Sequence, residues 1–362
     1  MHARIALLPG DGVGPEVTAA AVEVLRAVAD SYGHDFDFGE GLIGGAAIDA
    51  TGDPLPEETI TLCKAADAAL LGAVGGPKWS HTAPGKRPEQ GLLRLRSVLG
   101  VYANVRPVVP DPNLTGASPL RAELLAGVDI CFVRELTGGI YFGDKERTAD
   151  TASDLCTYTV AEVERVVRLA AKLAAGRRGK LTSVDKANVL ETSRLWRETT
   201  ERVVRDEFPD LELEHLLVDA AAMHLLTRPA DFDVIVTENL FGDILTDEAS
   251  VLAGSMGLLP SASLGDGNPG LFEPIHGSAP DIAGQGVANP GGMIASAALM
   301  LRHALGLEAE AACIEAALAA TVNAGWRTPD IAAGGTQTVG TAEFTGVVVR
   351  SLADGMQTLR SA

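Results

Sequence analysis

The chain has 362 residues, 46% of them hydrophobic and 21% charged, enough to bury one large core or two ordinary ones. That apolar content excludes a disordered chain, and 40 glycines without a G-X-Y period exclude a collagen-like fibre. Forty-eight acidic against 29 basic residues leave a net charge of −19, which repels phosphate backbones and anionic lipid, so neither nucleic acid nor a membrane is expected as partner.

Short apolar runs alternate with helical periodicity along the chain, which predicts an α/β fold. A strand is expected at 4–8, then a Gly/Pro turn and a helix over 16–29. Further strands are predicted at 68–71, 128–134, 180–185, 214–218 and 234–237, and helices at 161–174, 193–206, 242–255, 292–305 and 308–322. Two stretches break the alternation. Residues 139–159 are polar and β-rich, which suggests an arm or hairpin, and 265–292 are rich in Gly, Pro and Asn, which suggests a long functional loop. Cys63, Cys131, Cys156 and Cys313 lie far apart with no CxxC, the pattern of free thiols in a reducing compartment. The opening MHARIALLPGDG lacks a leader pattern, and no apolar run reaches the ~20 residues that span a bilayer. A cytoplasmic location is the expectation.

Residues 8–15 read LPGDGVGP, between a strand and a helix. The dinucleotide pattern G-x-G-x-x-G needs glycine at 10, 12 and 15, but position 15 is proline, so a tight turn is the better reading. Residues 241–247 read FGDILTD, which puts Asp243 and Asp247 on one helix face, one turn apart. They suit a hard divalent cation, or else Asp243 caps the helix and Asp247 complements its dipole. A third carboxylate, Asp219, placed at a strand end, favours metal. Lys186 follows the strand at 180–185, and a lysine beside a bound cation is a usable base near neutrality, whereas a solvated lysine is the ordinary alternative. Only seven basic residues are lysines.

Arg96, Arg106 and Arg134 carry planar forks that grip carboxylates, and three converging would suit a dicarboxylate. Glu89, Leu92 and Leu93 begin an amphipathic helix just before them. Tyr141 stands at the base of the suspected arm, where it acts as an acid or as a packed aromatic. In the loop 273–290, Gly277 permits close approach of a ligand, His276 offers a stacking face and Asp281 is placed to accept both hydroxyls of a ribose. A purely structural loop is the alternative.

In order and content these clusters closely resemble the β-decarboxylating dehydrogenases of the isocitrate/isopropylmalate type, from GDGVGPEV at 10–17 to RTPDIA at 327–332. The resemblance implies a two-domain, non-Rossmann α/β fold of isopropylmalate dehydrogenase-like type: residues 1–101 plus 254–362 for the cofactor, and 102–253 for substrate, metal and dimerisation, with a β arm at 139–159 on the dimer interface. It implies that Arg96, Arg106 and Arg134 bind the substrate carboxylates, and that Asp243 and Asp247, with Asp219 of a partner subunit, hold Mg2+ or Mn2+. Lys186, also from the partner, would be the base and Tyr141 the acid. His276, Asp281 and Asn289 would hold the adenosine of NAD, with Gly277, Ala279 and Ile282 in the same loop. The enzyme is therefore expected to be a homodimer.

Within the family, Glu89, Leu92 and Leu93 match the pattern for 3-isopropylmalate: the leucines enclose a branched alkyl group and Glu89 repels an extra carboxylate. Asp281 favours NAD over NADP. A sister enzyme acting on tartrate or malate is the nearest rival. A non-catalytic subunit or a plain binding protein would leave Lys186, Tyr141 and the aspartates unexplained.

Overall fold

The computed structural model describes residues 1–82, 86–267, 269–333 and 336–361, with side chains described as far as residue 354. The chain opens with β1 (His2–Gly10), whose apolar centre is buried, and turns into α1 (Gly14–Tyr32). Gly10 and Gly12 take φ of 69° and 58°, and a Cβ on Gly12 would stand 1.9 Å from the Ser278 carbonyl oxygen, so the turn requires glycine. Pro15 sits in the first helical turn, where its missing N–H costs nothing. Between the glycines, the buried Asp11 carboxylate accepts from the N–H groups of Gly45, Ala46 and Gly75. Burial raises its carboxyl and these three donors oppose the rise. The run that fails the dinucleotide spacing is thus a turn fastened by its own aspartate.

β2 (Asp35–Glu40), α2 (Gly44–Thr51) and α3 (Glu57–Ala65) lead to the wholly buried β3 (Ala68–Ala73) and to α4 (Pro88–Leu99). Then come β4 (Ala103–Val108), the single turn α5 (Ala122–Leu125) and β5 (Ile130–Glu135). A 3-10 turn at Gly139–Tyr141 is followed by the antiparallel, exposed hairpin β6 (Lys145–Arg147) and β7 (Ala152–Asp154). α6 (Val160–Ala175) begins in a capping box: the Thr159 hydroxyl accepts from the Glu162 N–H, and the Glu162 carboxylate accepts from the Thr159 N–H. β8 (Lys180–Asp185), α7 (Glu191–Glu207), β9 (Glu212–Leu217), α8 (Val218–Thr227), β10 (Val234–Thr237) and α9 (Asn239–Ala253) follow. The chain then runs through β11 (Pro260–Leu264), β12 (Gly270–Pro274), α10 (Gly291–His303), α11 (Glu308–Asn323) and α12 (Thr341–Ser361).

Two compact units result, one of Met1–Val101 with Ser255–Ala362 and one of Tyr102–Gly254. In the first the strand order is β2-β1-β3-β12-β11, parallel except for the β11/β12 pair. In the second it is β4-β5-β10-β8-β9, parallel except for β4/β5. The central parallel strands β3 (AALLGA) and β10 (VIVT) read as nearly continuous apolar runs because helices cover their sheets: α1, α10, α11 and α12 pack together in the first unit, α6 and α7 in the second. Trp196, Phe132 and Phe232 are buried in the second unit, each contributing about 2–3 kcal/mol by removal from water. The architecture is mixed α/β. No described helix is long and apolar enough to cross a membrane.

Three expectations need correction. The stretch 265–292 is not one loop, for it contains β12, where Leu271 and Phe272 pair with Ala69 and Leu70 of β3. Asp219 does not end a strand: β9 stops at Leu217, and Asp219 lies in the first turn of α8. Gly254, read as opening the returning segment, instead closes the second unit as the left-handed cap of α9, with φ of 86°.

Candidate active site

The parallel strands of the second unit end on one side, and side chains there gather around α9. Arg134 on β5 donates through Nη1 to Asp243 Oδ1, and the Tyr141 hydroxyl donates to Asp243 Oδ2 at 2.6 Å. Arg134 also lies over the Tyr141 ring, 5.8 Å from its centroid. Burial, and then the neighbouring Asp243 carboxylate, push the Tyr141 phenol up to about 12, so it keeps its proton at neutral pH. On β4, Arg106 donates from Nε to Asn104 at 2.5 Å and from Nη1 to the Thr246 hydroxyl at 2.7 Å, with Asp247 at 3.8 Å. Partial desolvation raises the Asp247 carboxyl, opposed by Arg106 and reinforced by Asp243.

Asp243 does not cap its helix. The N-cap of α9 is Glu238, which accepts from the Phe241 N–H at 3.1 Å. Glu238 is 8% exposed, and burial, with Glu135 nearby, pushes its carboxyl up to about 6. A carboxyl raised in the folded state holds its proton more tightly there than in the unfolded chain. It therefore contributes stability below its ordinary value, and that contribution is lost as pH rises through about 6. Glu238→Gln keeps an acceptor for the cap and is expected to stabilise the chain by about 2 kcal/mol at about pH 8, with little gain at about pH 4. Thermal unfolding of both proteins at the two pH values measures this, and an equal gain at both would refute it.

Lys186 leaves β8 on a fixed backbone: its N–H donates to the Ser193 hydroxyl at 3.0 Å. The preceding Asp185, 1% exposed, is gripped by Arg197 through two bonds of 2.8 Å. The Lys186 Nζ reaches Asp219 Oδ1 at 2.7 Å and holds that carboxyl below the usual carboxylate range. Within this chain the predicted residues of the second unit thus form two groups, one of Arg106, Arg134, Tyr141, Asp243 and Asp247, the other of Lys186 and Asp219. Among the described residues no three His, Cys, Asp or Glu side chains converge on one point fit for a metal ion.

In the first unit, Glu89, Leu92, Leu93 and Arg96 recur at helical spacing on α4. Leu92 packs partly against the core, Leu93 is half-buried and Glu89 is exposed. Arg96 is buried and donates to Glu273 Oε1 at 2.6 Å, while its buried Nε has no partner. Elsewhere in this unit lies a cavity of about 550 Å3, lined by Val13, Met256, His276, Ala279, Ile282 and Asn289 among others. Its loop holds Ala279 at φ 38°, the one described non-glycine residue at positive φ. His276 Nδ1 donates to the Gly277 carbonyl at 2.9 Å, which leaves Nε2 as a buried acceptor without a partner. Gly277 also belongs to the lining, whereas Asp281 is exposed and does not. Asp330, unsuspected from sequence although it stands in RTPDIA, accepts from Asn289 at 3.0 Å, Ser255 at 2.5 Å and Thr328 at 2.6 Å.

The isocitrate/isopropylmalate dehydrogenase family model matches residues 4–348. The chain belongs to the isocitrate/isopropylmalate dehydrogenase family. A 3-isopropylmalate dehydrogenase of Rhodopirellula baltica is 57% identical over 358 residues, covering 98% of this chain and 100% of the relative. One of Anaeromyxobacter dehalogenans is 60% identical, covering 91% and 95%. Among solved structures, isocitrate dehydrogenase from Methylococcus capsulatus superposes with a TM-score of 0.85 at 35% identity, covering 97% of this chain and 99% of that one. A β-decarboxylating dehydrogenase from Thermococcus kodakarensis gives 0.81 at 37%, covering 98% and 97%.

The side chains fit the groups a dehydrogenase of this family requires. Asp243 and Asp247 offer hard, anionic oxygens one helical turn apart, the donor type that Mg2+ and Mn2+ prefer. In the first unit, the orphaned His276 acceptor and the apolar walls of the cavity suit a planar heterocycle that carries an N–H donor. Sequence reasoning missed Asn104, Asn239, Thr246, Glu273 and Asp330, the polar partners that orient the predicted residues.

Proposed function

We propose that this chain has 3-isopropylmalate dehydrogenase activity: NAD-dependent oxidative decarboxylation of (2R,3S)-3-isopropylmalate to 4-methyl-2-oxopentanoate, CO2 and NADH, a step of leucine biosynthesis in the cytoplasm. The observation that carries the proposal is the meeting of Arg134 and Tyr141 on Asp243, an anion-binding fork and a protonated phenol on the carboxylate proposed to bind metal. The names of the full-length relatives support the substrate.

Arg96, Arg106 and Arg134 are assigned to the two carboxylates of the substrate, and Leu92 and Leu93 to its isopropyl group, with roughly 1–3 kcal/mol of discrimination. Asp243 and Asp247, with Asp219 of a partner subunit, would hold Mg2+ or Mn2+. Gly277, Ala279, Ile282, His276 and Asn289 would hold NAD, with Asp281 on its ribose. When bound, the metal supplies positive charge beside the C2 hydroxyl and NAD supplies the hydride acceptor. Lys186 takes the hydroxyl proton as the C2 hydride departs. The resulting β-keto acid loses its C3 carboxylate as CO2, the electron pair passing into an enolate, and Tyr141 returns one proton to C3. Atoms and charges balance without a covalent intermediate.

A homodimer with shared sites is part of the proposal. Met223 and Leu226 on α8, Ile244 and Val251 on α9, and Phe142 and Leu155 of the 139–159 arm are large apolar side chains left exposed in the single chain. An NADH absorbance assay with Mg2+, comparing 3-isopropylmalate, isocitrate and D-malate with NAD and NADP, tests the function. Preference for 3-isopropylmalate with NAD is expected. Faster turnover of malate or isocitrate would refute the specificity, and no turnover of any would refute the activity.

A further inference from the structure

Asn239 is 1% exposed and is the first residue of α9, one turn before Asp243. Its carboxamide meets two other elements of the second unit. Oδ1 accepts from Arg134 Nε at 3.1 Å and from Nη2 at 2.9 Å, so it takes one edge of the guanidinium, while Nη1 donates to Asp243. Nδ2 donates to the Gly138 carbonyl at 3.3 Å, directly before the 3-10 turn that carries Tyr141. The Asn239 backbone N–H donates to the Tyr158 hydroxyl at 3.0 Å. The Tyr158 ring in turn packs so closely on Gly138 that a Cβ there would stand 2.6 Å from it. The amide orientation follows from its partners, since a flipped group would set N–H against guanidinium N–H and oxygen against a carbonyl.

We propose that Asn239 is a positioning residue: its neutral carboxamide fixes the Arg134 fork and the Tyr141 turn in one arrangement and adds no second negative charge to the one that Asp243 already sets against Arg134. A carboxylate at this position would hold Arg134 in the same geometry but set a second negative charge against it beside Asp243, and would oppose the Gly138 carbonyl. An amide accepts two bonds from a guanidinium edge through its oxygen and donates to a carbonyl through its nitrogen, without adding charge. The inference rests on the proposed role of Arg134 as a carboxylate binder.

Asn239→Ala and Asn239→Asp separate positioning from packing. Asn239→Asp is isosteric and adds an acid to a helix first turn, so its melting temperature is expected to exceed that of Asn239→Ala. KM is expected to order the other way, rising roughly 10–100-fold in Asn239→Asp and less in Asn239→Ala, with kcat lowered in both. Amide hydrogen exchange over residues 138–142 is expected to quicken in both variants. KM and kcat within about twofold of the parent in both variants, or a KM that simply follows thermal stability, would overturn the proposal. If the parent oxidises none of the three hydroxy acids, the proposed function fails separately. Exchange then decides for Asn239 alone: unchanged rates refute the positioning role and faster rates support it.

Discussion

Asp243→Asn is expected to lower kcat by roughly 1,000-fold while leaving the chain folded. Asp243 lies inside α9, where asparagine and aspartate have similar helix propensity, so the helix itself is not at risk. The change falls on the two donors that share its carboxylate. Arg134 and Tyr141 both give hydrogen bonds to Asp243, and an asparagine can accept from only one of them through oxygen while its NH2 faces the other donor. The unit of negative charge offered to a divalent cation is lost as well. A spectroscopic consequence accompanies the kinetic one. The Asp243 carboxylate helps to raise the Tyr141 phenol, so in the variant that phenol is expected to titrate closer to the ordinary tyrosine value. Ultraviolet difference titration, read beside kcat over a range of Mg2+, measures both. Unchanged kcat at saturating Mg2+ would remove Asp243 from the proposed chemistry.

Lys186→Gln is expected to lower kcat by roughly 100- to 10,000-fold, the range for loss of a general base. The same variant tests whether sites are shared between subunits. A dimer assembled from one Lys186→Gln chain and one Asp243→Asn chain, purified through two different tags, carries both lesions at one site and neither at the other if lysine and aspartate come from different chains. It is then expected to show about half the parent activity, although each parental homodimer is nearly inactive. If each site drew both residues from one chain, the mixed dimer would be as inactive as its parents, and that result would refute the shared site.

Legibility in the sequence followed the kind of force that shapes each element. β10 was readable to the residue because the buried parallel strand VIVT is β-branched throughout and nearly all apolar. β8, KLTSVD, reads to the same bounds although Thr182 and Ser183 interrupt its apolar residues. β2, with its DFDFGE alternation on the edge of its sheet, was missed because half its residues are polar and exposed. The β9–α8 junction carries no glycine or proline, which is why Asp219 was assigned to a strand. The types of the candidate site residues were legible, yet their meeting was not. Tyr141 and Arg134 lie 102 and 109 residues from Asp243, and only the return of the chain to neighbouring strands brings them together. Asn239 and Glu238 stand in the same ENLFGDILTD run as the aspartates, but their roles depend on partners that spacing does not reveal.

The two-part first unit has a consequence for the order in which the protein is made. β12 supplies the neighbour of β3, pairing Gly270 with Ala68, so this sheet joins segments about 200 residues apart in the chain. On a ribosome the second unit emerges whole and can close while synthesis continues. The first unit must hold β1, β2 and β3 without their partner strand until β12 and the helices after it have left the exit tunnel. During that interval the apolar edge of β3 is open to other chains, and a chaperone acting on the nascent polypeptide would find its substrate there.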